Sequence, residues 1–248
     1  MTGPLDRGRP AGATDLRREP APRVWLRSGG DRPRILGGRT LAVLALAASL
    51  SPLGCAGRAQ DPGDGWISLF DGETLAGWEG SETYFRVEDG AIVGGTDAAP
   101  IPQNEFLCRS EQWEDFEMRL RFRLEEGVNS GVQFRSERIP GSHEAIGYQA
   151  DLGDGYWGAL YDESRRNVVL AQADRAVVAA VLDPTGWNDY RILVEGQRVQ
   201  LFINDRRTID YTEPDATLPR TGRICVQIHS GPPGEVRFSD LSLRAVAR

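Results

Sequence analysis

The sequence contains no lysine, so all 29 of its basic residues are arginines. Without lysine the chain cannot form a Schiff base with a carbonyl substrate or use a side-chain amine as a general base. Histidine is also scarce, with only His143 and His229 in 248 residues. These absences direct the search for a functional site towards carboxylates, amides, guanidinium groups and aromatic rings.

Familiar catalytic motifs are missing as well. The chain has no nucleophilic-serine elbow, no zinc-binding helix motif and no phosphate-binding glycine loop. The alternating carboxylates of retaining β-glucanases are also absent, because Gln149-Ala150-Asp151 supplies one acid where two or three are needed.

The charge is unevenly distributed along the chain. Residues 1–55 hold nine arginines and four acidic residues, a net charge of +5, whereas the whole chain carries −7. The remainder therefore carries −12. Such an acidic body argues against nucleic-acid binding, which depends on a basic surface.

The N-terminal region predicts export. An arginine-rich start precedes an apolar run at positions 41–50, which is too short to span a bilayer, and then Ser51-Pro52-Leu53-Gly54-Cys55. This order resembles a bacterial lipoprotein signal, so we predict a signal peptide at 1–55 with lipidation of Cys55, then a linker at 56–64. The membrane would be a partner through this lipid anchor, in the periplasm or outer membrane of a bacterial cell envelope. An ordinary signal peptide cleaved nearby is the alternative.

Residues 65–248 predict an all-β domain. Glycine and proline are abundant, with 29 and 15 residues, and short apolar runs alternate with turn signals. The clearest strand is 116–124, where apolar residues occupy every second position. Many closely spaced antiparallel strands indicate a two-sheet jelly-roll sandwich. Helix should be scarce, although positions 171–182 fit either a helix or a strand.

Two cysteines remain after Cys55. Cys108 and Cys225 both lie in strand-like runs. They fit either a disulfide in an exported protein or two buried free thiols.

Polar side chains recur on one face of several predicted strands, which suggests a ligand surface. Successive strand residues point to opposite faces, and four sets of polar or aromatic residues could line one cleft. Amides, carboxylates and aromatic rings together suit a sugar. A solvated sheet face is the alternative for each set alone. The four sets are Asn129, Gln133 and Arg135; Gln149 and Asp151; Trp157 and Tyr161; and Gln227 and His229.

Two loop segments could complete the cleft. His143-Glu144 lies in a loop rich in glycine and proline, and could supply a base or a metal ligand or simply be solvated. The segment 162–166, which contains Glu163, could close one end of the cleft or form a surface cluster of ion pairs.

Several ordered motifs resemble the 3-keto-disaccharide hydrolase domain family. The resemblance covers roughly residues 64–246 and implies the concanavalin A-like lectin/glucanase sandwich. The matching motifs are Leu69-Phe-Asp-Gly72, Gly77-Trp78, Asn129-Ser-Gly-Val-Gln-Phe-Arg135, Gly147-Tyr-Gln-Ala-Asp151, Gly158-Ala-Leu-Tyr161, Trp187-Asn188 and Gly222-Arg-Ile-Cys-Val-Gln-Ile-His229.

The resemblance implies an exported hydrolase or lyase acting on 3-keto-glucosides. The ketone acidifies the C2 proton, so a base can remove it and the glycosidic group can leave. On this view Asp151 or Glu144 is the base, and Arg135, His229 or a divalent metal ion stabilises the enolate. A sugar 3-oxidoreductase acting upstream would supply the substrate.

One departure from the family pattern bears on the base. The family often has Glu and then Gln where this chain has Gln149 and then Asp151, which moves the carboxylate by two residues along the same strand face. The alternative functions are a non-catalytic carbohydrate-binding module of a cell-envelope lipoprotein and a structural envelope protein.

Overall fold

A computed structural model describes residues 65–247, which are almost entirely β-structure. The single helix of this region, α1, spans Arg175–Ala179 and resolves part of the ambiguous run at 171–182 as helical. The fifteen strands are β1 Ile67–Ser68, β2 Trp78–Glu79, β3 Phe85–Glu88, β4 Ala91–Thr96, β5 Glu105–Arg109, β6 Phe116–Leu124, β7 Ser130–Arg138, β8 Ala145–Leu152, β9 Leu160–Glu163, β10 Val168–Ala171, β11 Asn188–Glu195, β12 Arg198–Ile203, β13 Arg206–Thr212, β14 Arg223–Ile228 and β15 Gly234–Ala245.

The strands form two antiparallel sheets. The first sheet has the order β13-β12-β11-β6-β15-β4-β3, with β1 paired to β15. The second sheet has the order β10-β9-β8-β7-β14-β5-β2. The predicted two-sheet antiparallel sandwich is therefore confirmed, as is the scarcity of helix.

The core lies between the inner faces of the two sheets. In β6 the apolar residues predicted to face inward, from Phe116 to Leu124, are all buried, whereas Arg119, Arg121 and Arg123 are exposed. Phe116 meets Phe134 of the second sheet edge-on, with ring centroids 6.1 Å apart. Aromatic contact of this kind joins the two sheets and leaves the outer face of the second sheet available for other chemistry.

A β-bulge interrupts β7 between Phe134 and Glu137. Arg135 lies in it with φ of 49°, a left-handed conformation that few non-glycine residues adopt. Its guanidinium donates to the carbonyl oxygen of Glu114 at 2.8 and 3.0 Å and to Oδ1 of Asp115 at 3.0 Å. The side chains of Arg135 and Asp115 are 3% and 7% exposed, so a buried ion pair holds the bulge in place.

Beyond the bulge, the end of the β7–β8 hairpin folds over the outer face of the second sheet. The amide Nε2 of Gln133 donates to the carbonyl oxygen of Ala145 at 3.2 Å, and Arg138 donates to that of Phe106 in β5 at 2.8 Å. At the tip, Nδ1 of His143 lies 2.7 Å from the carbonyl oxygen of Asn104. These contacts carry residues 137–146, called here the hairpin cover, across β14 to β5.

A disulfide lies beneath the hairpin cover. Cys108 and Cys225 are directly opposite each other in β5 and β14 and are joined by a disulfide. With Phe106 and Ala145 they form a small buried cluster on the outer face, separate from the main core. Of the two states that the sequence left open, the structure has the disulfide.

The predicted signal peptide, the lipidation at Cys55 and most of the linker lie outside the described residues and stay predictions. Within residues 65–247, no helix is long and apolar enough to cross a membrane.

The buried ion pair at the bulge predicts a large effect on stability. Replacing Arg135 by methionine leaves Asp115 buried beside an uncharged side chain, so the free energy of unfolding should fall by about 3–5 kcal/mol. Urea denaturation measures this. As a control, Arg207→Met removes an exposed pair with Asp210 and should cost less than about 1 kcal/mol. Equal denaturation midpoints for the two variants would contradict the role given to Arg135.

Candidate active site

Strand register brings the predicted polar residues together on the outer face of the second sheet. Gln133 lies opposite Gln149 in β8, which lies opposite Tyr161 in β9. One row further along, Gly131 lies between Gln227 of β14 and Asp151 of β8. Four strands thus place amides, a carboxylate and a phenol in two adjacent rows.

The absence of a side chain at Gly131 allows its neighbours to meet. A Cβ atom at this position would lie 2.5 Å from Cγ of Gln149, so any larger residue would displace that side chain. Gln149 instead lies across the glycine and donates through Nε2 to Oε1 of Gln227 at 3.1 Å. The same amide lies 3.5 Å from Oδ1 of Asp151, so it links the two rows.

Three amide atoms in this cluster lack a hydrogen-bond partner among the described residues. They are Oε1 of Gln133, Oε1 of Gln149 and Nε2 of Gln227, and each parent side chain is at most 1% exposed. Buried polar atoms are nearly always paired, because an unpaired one costs the desolvation of that group. Two acceptors and one donor of this cluster therefore have unused hydrogen-bonding capacity.

Asp151 is a buried carboxylate in this cluster, with 4% of its surface exposed. Burial raises the pKa of Asp151 to about 7, and the negative charge of Glu163 adds to the effect. The backbone N–H of Leu152 donates to Oδ1 at 3.1 Å. That bond, together with Gln149 and Asn129 nearby, only partly offsets the cost of burying the charge.

Glu163 is a second buried carboxylate with the same behaviour. Burial raises the pKa of Glu163 to about 7, and Glu144 on the hairpin cover raises it further. The amide of Gln227 lies close enough to Glu163 to favour the ionised carboxylate and so to lower its pKa. The Nε2 atom of Gln227 nevertheless has no partner with the geometry of a normal hydrogen bond. Glu144 is itself held by the hydroxyl of Ser164, at 2.7 Å. The hairpin cover thus brings a third carboxylate, that of Glu144, towards Glu163 and Asp151.

The two histidines are anchored on either side of Asn104. Its carbonyl oxygen meets Nδ1 of His143, and its side chain accepts from the backbone N–H of Ser230, next to His229. Nδ1 of His229 lies 2.7 Å from the carbonyl oxygen of Ser230, so Nδ1 is the nitrogen that carries the proton in the neutral ring. The backbone N–H of His229 also donates to Asn129. Both histidines therefore lie at the border of the cluster.

Tyr161 lies at the border as well, on β9. Partial burial raises the pKa of Tyr161, and the nearby charges of Glu163 and Asp151 and the phenol of Tyr156 raise it further. The phenol therefore stays protonated at neutral pH and can donate a hydrogen bond to a ligand.

Two predicted site residues are not brought into the cluster. The bulge turns Arg135 towards Asp115, so the expectation that it shares the face of Gln133 is wrong. Trp157 stacks on Phe122 of the core, with ring centroids 6.1 Å apart, and donates to Asp154. The partly buried indole ring of Trp157 therefore packs against the core and not in the polar cluster.

The segment 162–166 is divided between the two faces of β9. Asp162 points inward, fully buried, and pairs with Arg165 and Arg166. Glu163 points outward into the cluster. The predicted ion pairs thus form at Asp162, although its carboxylate is buried and not at the surface, whereas Glu163 has no such pair among the described residues.

A metal ion has no evident set of ligands in this region. Within residues 65–247, no three His, Cys, Asp or Glu side chains converge closely enough to hold one. The mechanism proposed for this site therefore uses only the groups of the chain, and the divalent ion stays a prediction.

Sequence reasoning missed the contributions of Asn104 and Ser164, which hold the hairpin cover in place. Both contact residues distant in sequence, so no local pattern marks them. It also placed Glu163 among the substrate-binding residues, whereas in the structure this carboxylate is buried and, like that of Asp151, has a pKa raised to about 7.

Comparison with known proteins identifies the family. Residues 65–244 match the 3-keto-α-glucoside-1,2-lyase-like domain. The chain belongs to this family. A 3-keto-disaccharide hydrolase of Bacteroides thetaiotaomicron is 24% identical over 171 residues, which are 60% of this chain and 59% of that protein. The chain thus spans little more than half the length of this relative.

Solved structures support the fold. A candidate glycosyl hydrolase from Parabacteroides distasonis aligns with a TM-score of 0.57 and 16% identity, over 74% of this chain and 94% of that one. A carbohydrate-binding module from Bacillus subtilis aligns with a TM-score of 0.53 and 15% identity, over 68% and 96%. A galectin-like protein of the same organism also has a TM-score of 0.53, at 11% identity, over 69% and 90%. The jelly-roll sandwich thus occurs both in a candidate enzyme and in a binding module.

The raised pKa of Asp151 predicts that this residue destabilises the protein above neutral pH. Its pKa rises from an ordinary 3.8 to about 7 on folding, so between these values the folded state binds more protons than the unfolded chain. Stability must then fall as the pH rises through this range. Asp151→Asn should therefore raise the melting temperature at pH 8 and change it little at pH 4.

A second aspartate provides a control of opposite sign. Hydrogen bonding to Arg198 lowers the pKa of Asp210, so Asp210→Asn should lower the melting temperature at pH 8. The account of Asp151 would be refuted if both variants were destabilised equally at pH 8.

Proposed function

We propose that this protein cleaves glycosides of 3-keto-glucose by removing the C2 proton and eliminating the group attached to C1. In this reaction the C2–H bond breaks and its electron pair forms a C1=C2 double bond. The C1–O bond breaks at the same carbon, and the departing oxygen takes up a proton. Water later adds across the double bond to complete the hydrolysis. The ketone at C3 makes the first step possible because it stabilises the negative charge that develops.

The observation that carries this proposal is the pair of buried carboxylates that both have a pKa of about 7. Charge on Glu163 raises the pKa of Asp151, and both carboxyl groups change protonation near neutral pH. Near pH 7 each carboxyl group is therefore present in both forms, so one can act as a base and the other as an acid in the same cluster. Proton abstraction and protonation of the leaving group need this combination.

We assign the base to Asp151 and the acid to Glu163. Asp151 lies deeper in the cluster, where Gln149 and the N–H of Leu152 orient its carboxylate. Glu163 lies at the end of β9, beside Glu144, whose negative charge keeps the neighbouring carboxyl protonated. A group with a pKa near the working pH is effective in either role.

The unpaired amide atoms match the polar groups of an oxidised sugar. The Nε2 donor of Gln227 can bond the developing enolate oxygen, which replaces the role first considered for Arg135. The acceptors on Gln133 and Gln149 can take hydroxyl protons of the ring. Asn129 and the phenol of Tyr161 border the same space and can contribute further polar contacts.

The proposal is tested by turnover of a chromogenic 3-keto-α-glucoside, with the unoxidised glucoside as the control substrate. We expect release of the chromogenic group from the ketone alone, because only the ketone acidifies C2. Binding of both sugars without turnover of either would refute the proposed reaction and favour a carbohydrate-binding module. Repeating the assay with a chelator and with added divalent ions tests the divalent cofactor that remains a prediction.

The two carboxyl groups, each with a pKa of about 7, predict a bell-shaped dependence of kcat/KM on pH with a maximum near 7. The base must be ionised, so the rate falls below its pKa, and the acid must be protonated, so the rate falls above its pKa. Asp151→Asn should abolish most activity, by about 100-fold or more, since general base catalysis contributes on that order. Glu163→Gln should remove the decrease in kcat/KM at alkaline pH, because glutamine has no proton to lose in this range.

The variants also distinguish the two roles. With a leaving group that needs no protonation, such as 4-nitrophenolate, Glu163→Gln should lose little activity whereas Asp151→Asn should still lose most. Equal losses for the two variants on this substrate would overturn the assignment of base and acid. An upstream sugar 3-oxidoreductase, the lipid anchor at Cys55 and a location in the cell envelope belong to the same proposal.

A further inference from the structure

The disulfide between Cys108 and Cys225 lies away from the main core. Its buried cluster has four members, and only Ala145 among them comes from the hairpin cover. Ala145 is fully buried, so its methyl group packs against Phe106 and the disulfide. Apolar support for the cover therefore comes from the sulfur bridge and one aromatic ring.

The remaining contacts that hold the cover are polar. Arg138 donates to the carbonyl oxygens of Phe106 and Glu79, and its Nη1 lies 3.9 Å from Sγ of Cys108. His143 contacts Asn104, and Glu144 contacts Ser164. Partly exposed polar contacts such as these are individually weak. The buried cluster, together with the buried hydrogen bond from Gln133 to the carbonyl oxygen of Ala145, is thus the firmest attachment of the cover to the sheet.

Strand register connects the disulfide to the carboxylates. Cys225 lies directly opposite Gln133 in β7, and Gln133 donates to the carbonyl oxygen of Ala145. The residue before Ala145 is Glu144, whose charge raises the pKa of Glu163. The bridge, Gln133 and Ala145 therefore form one series of contacts that ends next to Glu144.

We propose that the Cys108–Cys225 disulfide is a positioning device, which seats the hairpin cover and so places Glu144 beside Glu163. The inference rests on the function proposed above, because Glu163 is assigned there as the acid. The two cysteines touch no reacting atom in this scheme and act through the cover.

A disulfide also stabilises a fold as a whole by restricting the unfolded chain. The test must therefore separate a local effect on the cover from a general loss of stability. Hydrogen–deuterium exchange gives that separation, since amides open either locally or with the whole molecule.

The experiment compares the full chain with its Cys108→Ala/Cys225→Ala variant. Under native conditions, exchange in residues 137–146 should rise at least tenfold, whereas exchange in β6, residues 116–124, should change much less. The matched control is Val199→Ala, which removes buried methyl groups from β12 of the first sheet and lowers stability at a strand that pairs with neither β6 nor the cover. Its exchange should rise equally in the cover and in β6, or in neither.

A kinetic measurement adds a second readout. In the double cysteine variant kcat should fall at least tenfold, and the alkaline limb of the pH profile should move to lower pH because Glu144 no longer raises the pKa of Glu163. The control should keep its pH profile.

Two results would overturn the inference. One is unchanged exchange in the cover of the double cysteine variant, and the other is a rise of the same factor in the cover and in β6. The exchange measurement needs no turnover. A wild-type protein inactive on every 3-keto-glucoside would therefore refute the proposed function, while the seating of the cover would still be decided by exchange alone.

Discussion

The ion pair between Arg135 and Asp115 is the constraint on which the outer face of the second sheet depends. It compensates a strained backbone conformation in the middle of β7 and so lets a regular strand change direction. Because the strand changes direction, the hairpin end lies on the sheet instead of extending past it. A charged pair between the two sheets thus shapes a site on the opposite side of the second sheet.

The covering hairpin changes the electrostatic behaviour of the face. Amides and carboxylates on an open sheet would be solvated and would titrate normally, whereas here they are almost fully buried. Many arginines of the described region pair with acids at the surface or between the sheets. Among residues 65–247, neither Asp151 nor Glu163 forms an ion pair with an arginine. Burial without a cation is the reason that both carboxylates keep their protons up to neutral pH.

The sequence predicted the sandwich and the shared face of Gln133, Gln149, Asp151 and Gln227, because strand alternation is a local property that periodicity reveals. It could not predict the bulge, which depends on a contact between Arg135 and a residue twenty positions away. The errors at Arg135 and Trp157 have the same origin, since each side chain follows a tertiary contact instead of strand parity. The raised pKa of Glu163 likewise depends in part on a tertiary contact, because Glu144 of the hairpin cover lies near it.

Asp162 and Glu163 are adjacent carboxylates with opposite surroundings. One lies inside the sandwich between two arginines, and the other lies outside it, with no cation, in the amide cluster. A slip of β9 by a single residue would exchange them, so that an unneutralised acid entered the core and a neutralised one entered the site. The arginines that follow this strand therefore help to set its register, and with it which of the two neighbouring acids faces the outer amide cluster.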